Sequence, residues 1–224
     1  MIDQLIVGDK ASFDDYGASL NKRKFSPPKK KEIKETVPFS NVTYDFTKIN
    51  GEIYWEEREL ECIFEIMADT PEELERKKTV FSNWVMNIMQ ENIYDPFLPD
   101  FHYVGTFSDI DYEDEEGIEK TTITVKFSAY PYKIANNPTK YAFTVAAGEE
   151  ITKAIVNSSA HRITPTITTN TAITISLDDV SYSVPAGETT DGSFMLKEGT
   201  NALTIKNASG TECNLTVSFF EEVF

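Results

Sequence analysis

Residues 58–66, Arg-Glu-Leu-Glu-Cys-Ile-Phe-Glu-Ile, alternate charged and apolar positions with Ile63 as the one exception. Side chains on a strand point alternately to opposite faces, so this is the pattern of a half-buried antiparallel strand. The period then changes. Thr70-Pro71-Glu72-Glu73 offers an N-cap Thr, a Pro at the first helical position and a Glu at N3 that can close a capping box. Leu74, Phe81, Trp84/Val85 and Ile88 follow at helical spacing, with Glu72–Arg76 and Glu73–Lys77 as i,i+4 pairs, so a helix is predicted whose Phe and Trp stripe packs on a sheet. Beyond Pro96 and Pro99, Phe101–Phe107 reads as a strand. The stretch Thr121–Tyr130 returns with Ile123, Val125, Phe127 and Ala129 on one face, closing a hairpin around Gly117.

Asn136-Asn137-Pro138 makes a natural linker, and the texture changes after it. Short Thr, Ile and Val-rich runs at 141–145, 163–168, 172–177, 180–184, 193–196, 202–206 and 213–220, separated by turn residues, predict a small β-sandwich. The expected organisation is therefore mainly β with one α-helix. Residues 1–138 form a β-sandwich-like domain with a packed helix, and residues 139–224 form a jelly-roll or galectin-like β-sandwich.

Charge sharpens this picture. The 224 residues carry 21 Lys and Arg against 37 Asp and Glu, a net charge of −16. Binding along nucleic acid is driven by basic side chains, so sequence-independent DNA or RNA binding is disfavoured. The charge is also uneven. Lys22, Arg23, Lys24, Lys29, Lys30, Lys31 and Lys34 put seven basic residues into positions 22–34, around Pro27-Pro28, which reads as an exposed loop or arm. Asp109, Asp111, Glu113, Asp114, Glu115, Glu116 and Glu119 put seven acids into eleven positions of the second hairpin. These two clusters are the candidate subunit or partner contacts, because each is relieved when the other sign approaches.

Catalytic and metal chemistry finds little footing. A calcium loop begun at Asp109 would place its glycine on Asp114 and its bidentate Glu on Lys120, so the acidic hairpin fails that register. Cys62 and Cys213 sit in period-two apolar patterns and read as buried small hydrophobes. The two histidines, His102 and His161, fall in different predicted domains without a nucleophile motif beside them, and Glu56-Glu57 and Glu149-Glu150 point to opposite faces of any strand. The expectation is a protein with no enzyme activity, no cofactor and no metal. Both tryptophans, Trp55 and Trp84, lie in the first domain, leaving Tyr182 and Phe194 as the substitutes for a sugar-stacking platform in the second. There is no signal peptide pattern and no run near the ~18 apolar residues of a membrane span, so synthesis in the cytoplasm without membrane insertion is expected.

One order of motifs runs through residues 1–135. Val37-Pro38-Phe39-Ser40-Asn41 is followed by Gly51-Glu52 and by Tyr54-Trp55-Glu56-Glu57-Arg58-Glu59-Leu60, then by the capped helix, the acidic hairpin and Lys126-Phe127-Ser128-Ala129-Tyr130-Pro131-Tyr132. That order resembles the distal tail (Dit) proteins of long-tailed, siphovirus-type bacteriophages and prophages. Val184-Pro185-Ala186-Gly187 and Met195–Ile205 similarly resemble the second domain of that family and many carbohydrate-binding modules. The resemblance implies a hexameric ring at the virion tail tip, between a tail tube protein and a tail-associated baseplate or tip protein, through which DNA only passes. Two other readings stay open: a carbohydrate-binding module of a host-adhesion device, and a tail tube or injection-machine adaptor.

Overall fold

Alternation decides the first half of the chain. The computed structural model describes every residue except Met1, Ile2, Val37, Ser40, 48–51, Glu116, Ile118 and Asp179, so Val37, Ser40 and Gly51 of the motif series and Glu116 of the acidic cluster lie outside it. The chain divides into two compact units, Met1–Lys133 with Phe224 and Ile134–Val223.

The first unit contains β1 (Ile6–Val7), β2 (Lys10–Ala11), β3 (Ala18–Phe25), β4 (Lys34–Thr36), β5 (Thr43–Asp45), β6 (Arg58–Met67), α1 (Pro71–Met86), β7 (Glu91–Tyr94), β8 (Phe101–Asp114) and β9 (Lys120–Ala129). Seven of these form an antiparallel sheet in the order β2-β1-β7-β8-β9-β6-β3. The sheet curls back on itself: Leu20 N of β3 donates to Asp3 O (2.8 Å) and Ala18 N to Ser12 O (2.9 Å), beside the opposite margin. On β6, Leu60, Cys62, Phe64 and Ile66 are buried, and β9 supplies Ile123, Val125, Phe127 and Ala129 to the same core, the sets that alternation predicts. Burial pushes the Cys62 thiol up to about 12, as suits an inert core residue.

Helix α1 seats Leu74, Phe81 and Val85 on this core. Thr70 caps it, its Oγ1 accepting from Glu73 N (3.2 Å), while the Glu73 carboxylate reaches one residue further back than a standard capping box, to Asp69 N (3.3 Å). The spacing suggested a helix as far as Ile88. It ends at Met86, because Asn87 N and Ile88 N turn to Trp84 O and Val85 O, tightening the last turn.

In the second unit, β10 (Lys133–Ala135) precedes the sandwich strands β11 (Thr139–Val145), β12 (Glu150–Asn157), β13 (Thr166–Thr169), β14 (Ile173–Leu177), β15 (Val180–Val184), β16 (Gly187–Thr190), β17 (Gly199–Lys206) and β18 (Cys213–Phe219), and β19 (Glu222–Val223) follows them. Two four-stranded sheets, β11-β18-β13-β16 and β12-β17-β14-β15, hold a core of Ile, Leu, Val and Phe. The pairing of β11 with β18 and the repeated crossing between sheets give a jelly-roll-like sandwich.

Three departures from the predicted runs have two causes. Strands β12 and β16 were not foreseen, since both are sheet edges facing solvent and so lack a full apolar alternation. Residues 193–196 are not a strand, although Phe194 and Leu196 are buried: Phe194 N closes a turn on Asp191 O, and Leu196 forms a single bridge with Ile163. Buried amides set the turns of this unit. Asn207 Nδ2 donates to Val145 O (3.1 Å), Ala146 O (3.1 Å) and Thr211 O (2.8 Å), and its Oδ1 accepts from Ser209 N (3.0 Å). Asn157 and Asn201 bracket two further turns in the same way.

Candidate assembly surfaces

The predicted basic arm is two different structures. Lys22, Arg23 and Lys24 belong to β3 and not to a loop, because their backbone pairs with β6 at Ile63, Cys62 and Glu61. A bulge between Leu20 and Lys22 shifts the register there. Arg23 forms an ion pair with Asp95, whose side chain is only 1% exposed, and its guanidinium stacks over Phe97 (4.4 Å). It is therefore spent inside the unit. Lys29, Lys30, Lys31 and Lys34 lie on the true arm, where Lys31 N donates to Tyr54 O (2.9 Å), Glu56 N to Lys29 O (2.8 Å), and β4 pairs with β5. All four lysines are exposed, and Lys34 Nζ pairs with its neighbour Glu32 (2.6 Å). Tyr44, Phe46 and Tyr54 are exposed on the same arm, with the first two rings stacked at 6.3 Å.

The acidic hairpin forms as predicted, and the charges within it divide. Asp114 pairs with Lys78 of α1 (2.9 Å), which also holds Glu75 (3.0 Å), and Tyr112 Oη shares a 2.6 Å hydrogen bond with Ser82 Oγ, so the hairpin end is strapped to the helix. Desolvation alone would lower the Lys78 pKa, but its hydrogen bonds to Asp114 and Glu75 outweigh that and raise it. Lys120 joins Glu115 (2.9 Å) to Glu65 (3.1 Å), and Glu119 contributes its carbonyl to Ala68 N. A bulge between Phe107 and Asp109 sets the phase of the rest.

Register places what remains on one face. Asp109 lies opposite Lys126, which lies opposite Glu61, which lies opposite Lys24. The next row is Asp111, Thr124, Ile63 and Lys22, and the next is Glu113, Thr122, Glu65 and Ser19. At ~4.8 Å per strand, an acidic stripe on β8 and a basic stripe on β3 stand about 14 Å apart on the same sheet face, joined by a row of alternating sign. Both clusters are legible in the sequence, but strand pairing alone sets half of one beside the other.

Other chemistry is sparse. Among the described residues no group of three His, Cys, Asp or Glu is arranged to hold a metal, and no helix is long and apolar enough to cross a membrane. An open groove of about 850 Å³ runs beside α1, between Val80, Trp84 and Asn87 and the Val7–Lys10 turn, and Trp84 is stacked on Tyr16 (4.4 Å, 12°) at its edge. In the second unit Phe194 is 2% exposed and part of the core, and Tyr182, half-buried, packs edge-on against it while Tyr182 Oη donates to Ser193 O (3.1 Å), so both candidate sugar platforms are engaged within the unit.

No protein-family profile matches the chain, and no curated protein does. Solved structures do. The SPP1 Dit (gp 19.1) protein, described as a paradigm of the hub adsorption apparatus in phages infecting Gram-positive hosts, superposes with a TM-score of 0.72 at 15% identity, covering 100% of both chains. The phage P2 baseplate in its activated conformation with Ca aligns over 97% of this chain and 98% of that one at 10% identity, but with a TM-score of 0.36 it carries no argument. Identity this low speaks for the fold alone. With one helix on a curled sheet in the first unit and a jelly-roll-like sandwich in the second, the chain has the distal tail protein (Dit) fold.

Proposed function

We propose that this protein is a structural hub of a phage tail: a hexameric ring at the distal end, joining the tail tube protein to the baseplate or tip protein, in a virion that adsorbs to a Gram-positive host. The observation that carries this reading is the superposition over the full length of both chains. Residues 1–138 form the ring, and DNA passes through without being bound or chemically altered. The net charge of −16 supports such a conduit, since like charge keeps phosphates from adhering to the wall. The exposed lysines of the arm, Lys29, Lys30 and Lys31, contact the acidic stripe Asp109, Asp111 and Glu113 of a neighbouring subunit or an acidic tail partner. Charge complementarity supports this pairing.

Assembly follows mass action, so the test spans concentration. Light scattering with negative-stain microscopy of the purified protein should give six-fold rings with a central hole at the highest concentrations. A monomer throughout, also with tail tube protein added, would overturn the reading. A chain ending at Tyr132 that still oligomerises would place the ring in the first unit; a monomeric truncation beside an oligomeric full chain would move it to the second.

A further inference from the structure

The turn after β12, residues 158–163, carries His161, one of the two histidines of the chain. Its Nδ1 lies 2.6 Å from the carbonyl oxygen of Arg162, and its Nε2 lies 2.8 Å from Oε2 of Glu222. Both neighbours are oxygens with nothing to donate while Glu222 is ionised. A neutral imidazole has one N–H and one lone pair, so it can satisfy one of these oxygens but opposes a lone pair to the other. The imidazolium donates to both.

Glu222 opens the terminal strand β19, and the same turn grips it twice more. Ala160 N donates to Glu222 O (2.8 Å), and Glu222 N donates to Ser159 Oγ (3.0 Å). The turn is fixed from below by Asn157, whose Nδ2 donates to His161 O and Leu196 O and whose Oδ1 accepts from Ser159 N. The His161 and Glu222 side chains are 28% and 20% exposed, so water screens the pair only in part. The Glu222 carboxylate on β19 faces the ring, while Glu221 is engaged by Thr139 Oγ1 (3.1 Å).

We propose that His161 is a proton-operated clasp, which as imidazolium fastens β19 to the 158–163 turn and on losing its proton loosens that strand. The proposal is independent of the hub reading. A histidine that gains a carboxylate partner on folding has its folded pKa raised, so its contribution is complete below the ordinary value of ~6.5 and is lost as pH rises through the folded value. The C-terminal strand is thus held most firmly in mildly acidic solution and less firmly in mildly alkaline solution.

Ring nitrogen-15 shifts of the full-length protein test this directly. At pH 6 both His161 nitrogens should carry protons, and the titration midpoint should fall by about one pH unit or more in Glu222→Gln, the effect of removing a close opposite charge. Amide exchange at Ala160 and Glu222, divided by its intrinsic pH dependence, should quicken up to about tenfold as pH passes the midpoint, in keeping with that shift. The step should disappear in Glu222→Gln and in His161→Gln while Ile175, in the middle of β14, stays protected. A bare ring nitrogen at pH 6, a midpoint indifferent to Glu222→Gln, or exchange at Ala160 and Glu222 that shows no step would each overturn the clasp.

Discussion

The two units solve the same problem with different chemistry. In the first, polar groups that the fold must accommodate are mostly charged: Arg23 with Asp95, Lys78 with Asp114 and Glu75, Lys120 with Glu115 and Glu65, and the alternating row from Asp109 to Lys24. In the second, the buried polar side chains are neutral, the amides Asn157, Asn201 and Asn207 with Ser159 and Thr169, and the amides bond backbone, Asn157 and Asn207 reaching carbonyls distant in the chain. Charge at a surface is exchangeable, because a partner or salt can replace one end of a pair. An amide buried among carbonyls has no substitute in water. The first unit is therefore built of interactions that assembly can renegotiate, and the second of interactions that fix a shape.

The largest effect is expected where the first unit breaks its own rule. Asp95 is buried beside Arg23, so Arg23→Ala leaves its carboxyl without the paired guanidinium and should cost about 4 kcal/mol, read as a lowered denaturation midpoint. A loss under about 1 kcal/mol would show that Asp95 is satisfied otherwise. Next comes Asn207→Ala, which takes one donor from each of three carbonyls and the acceptor from Ser209 N–H, and should cost about 3 kcal/mol of the second unit's stability. Added salt should leave that loss unchanged. A salt-dependent loss would blur the contrast between the units.

A smaller effect belongs to the helix start. Thr70→Ala removes the cap and should cost about 1 kcal/mol. The Glu73 carboxyl is held below the ordinary carboxylate range by the Lys77 ammonium and then by Asp69 N–H. Its stabilisation is therefore present above the ordinary Glu value and is lost as pH falls through the folded one, so Glu73→Gln should flatten part of the acid limb of an unfolding curve. The smallest effect on the isolated chain is that of Lys29, Lys30 and Lys31 replaced together by Gln. Exposed charges of this kind are worth ~0 to 1 kcal/mol each. In an assembly the same change should lower the salt concentration at which rings or partner complexes dissociate, and an unmoved salt midpoint for both would reduce the arm to a solvated hairpin.

What could be read in advance follows from the same contrast. Strands β6 and β9 and helix α1 announce themselves, because one apolar face and one polar face leave a period in the sequence. The acidic hairpin is legible for the same reason. Arg23 is not, since in a run with Lys22 and Lys24 nothing marks the middle residue as the one a bulge turns inward. Asn157 and Asn207 sit in Asn-x-Ser patterns that carry no hint of burial, and their value lies in closing turns between strands distant in the chain. Edge strands β12 and β16 escape notice because one face of backbone pairing leaves little apolar signature. Pairing across the sheet, which sets Lys22 and Lys24 on the face of Asp109 and Asp111, is a long-range property that no local window contains.

The bulge between Leu20 and Lys22 makes the parity of a strand depend on one residue. Upstream of it Ala18 and Leu20 point to the core, and downstream the inward place falls to Arg23. Deleting Asn21 would make Leu20 and Lys22 successive residues opposite Phe64 and Ile63, a plain strand with Arg23 still inward, whereas a strand of unchanged length that paired without the bulge would present a lysine to Asp95 and the guanidinium to solvent. One odd residue of length is therefore absorbed at this point without reversing the faces downstream, and the bulge works as slack in the strand, taking up a residue so that the guanidinium stays on the inner side.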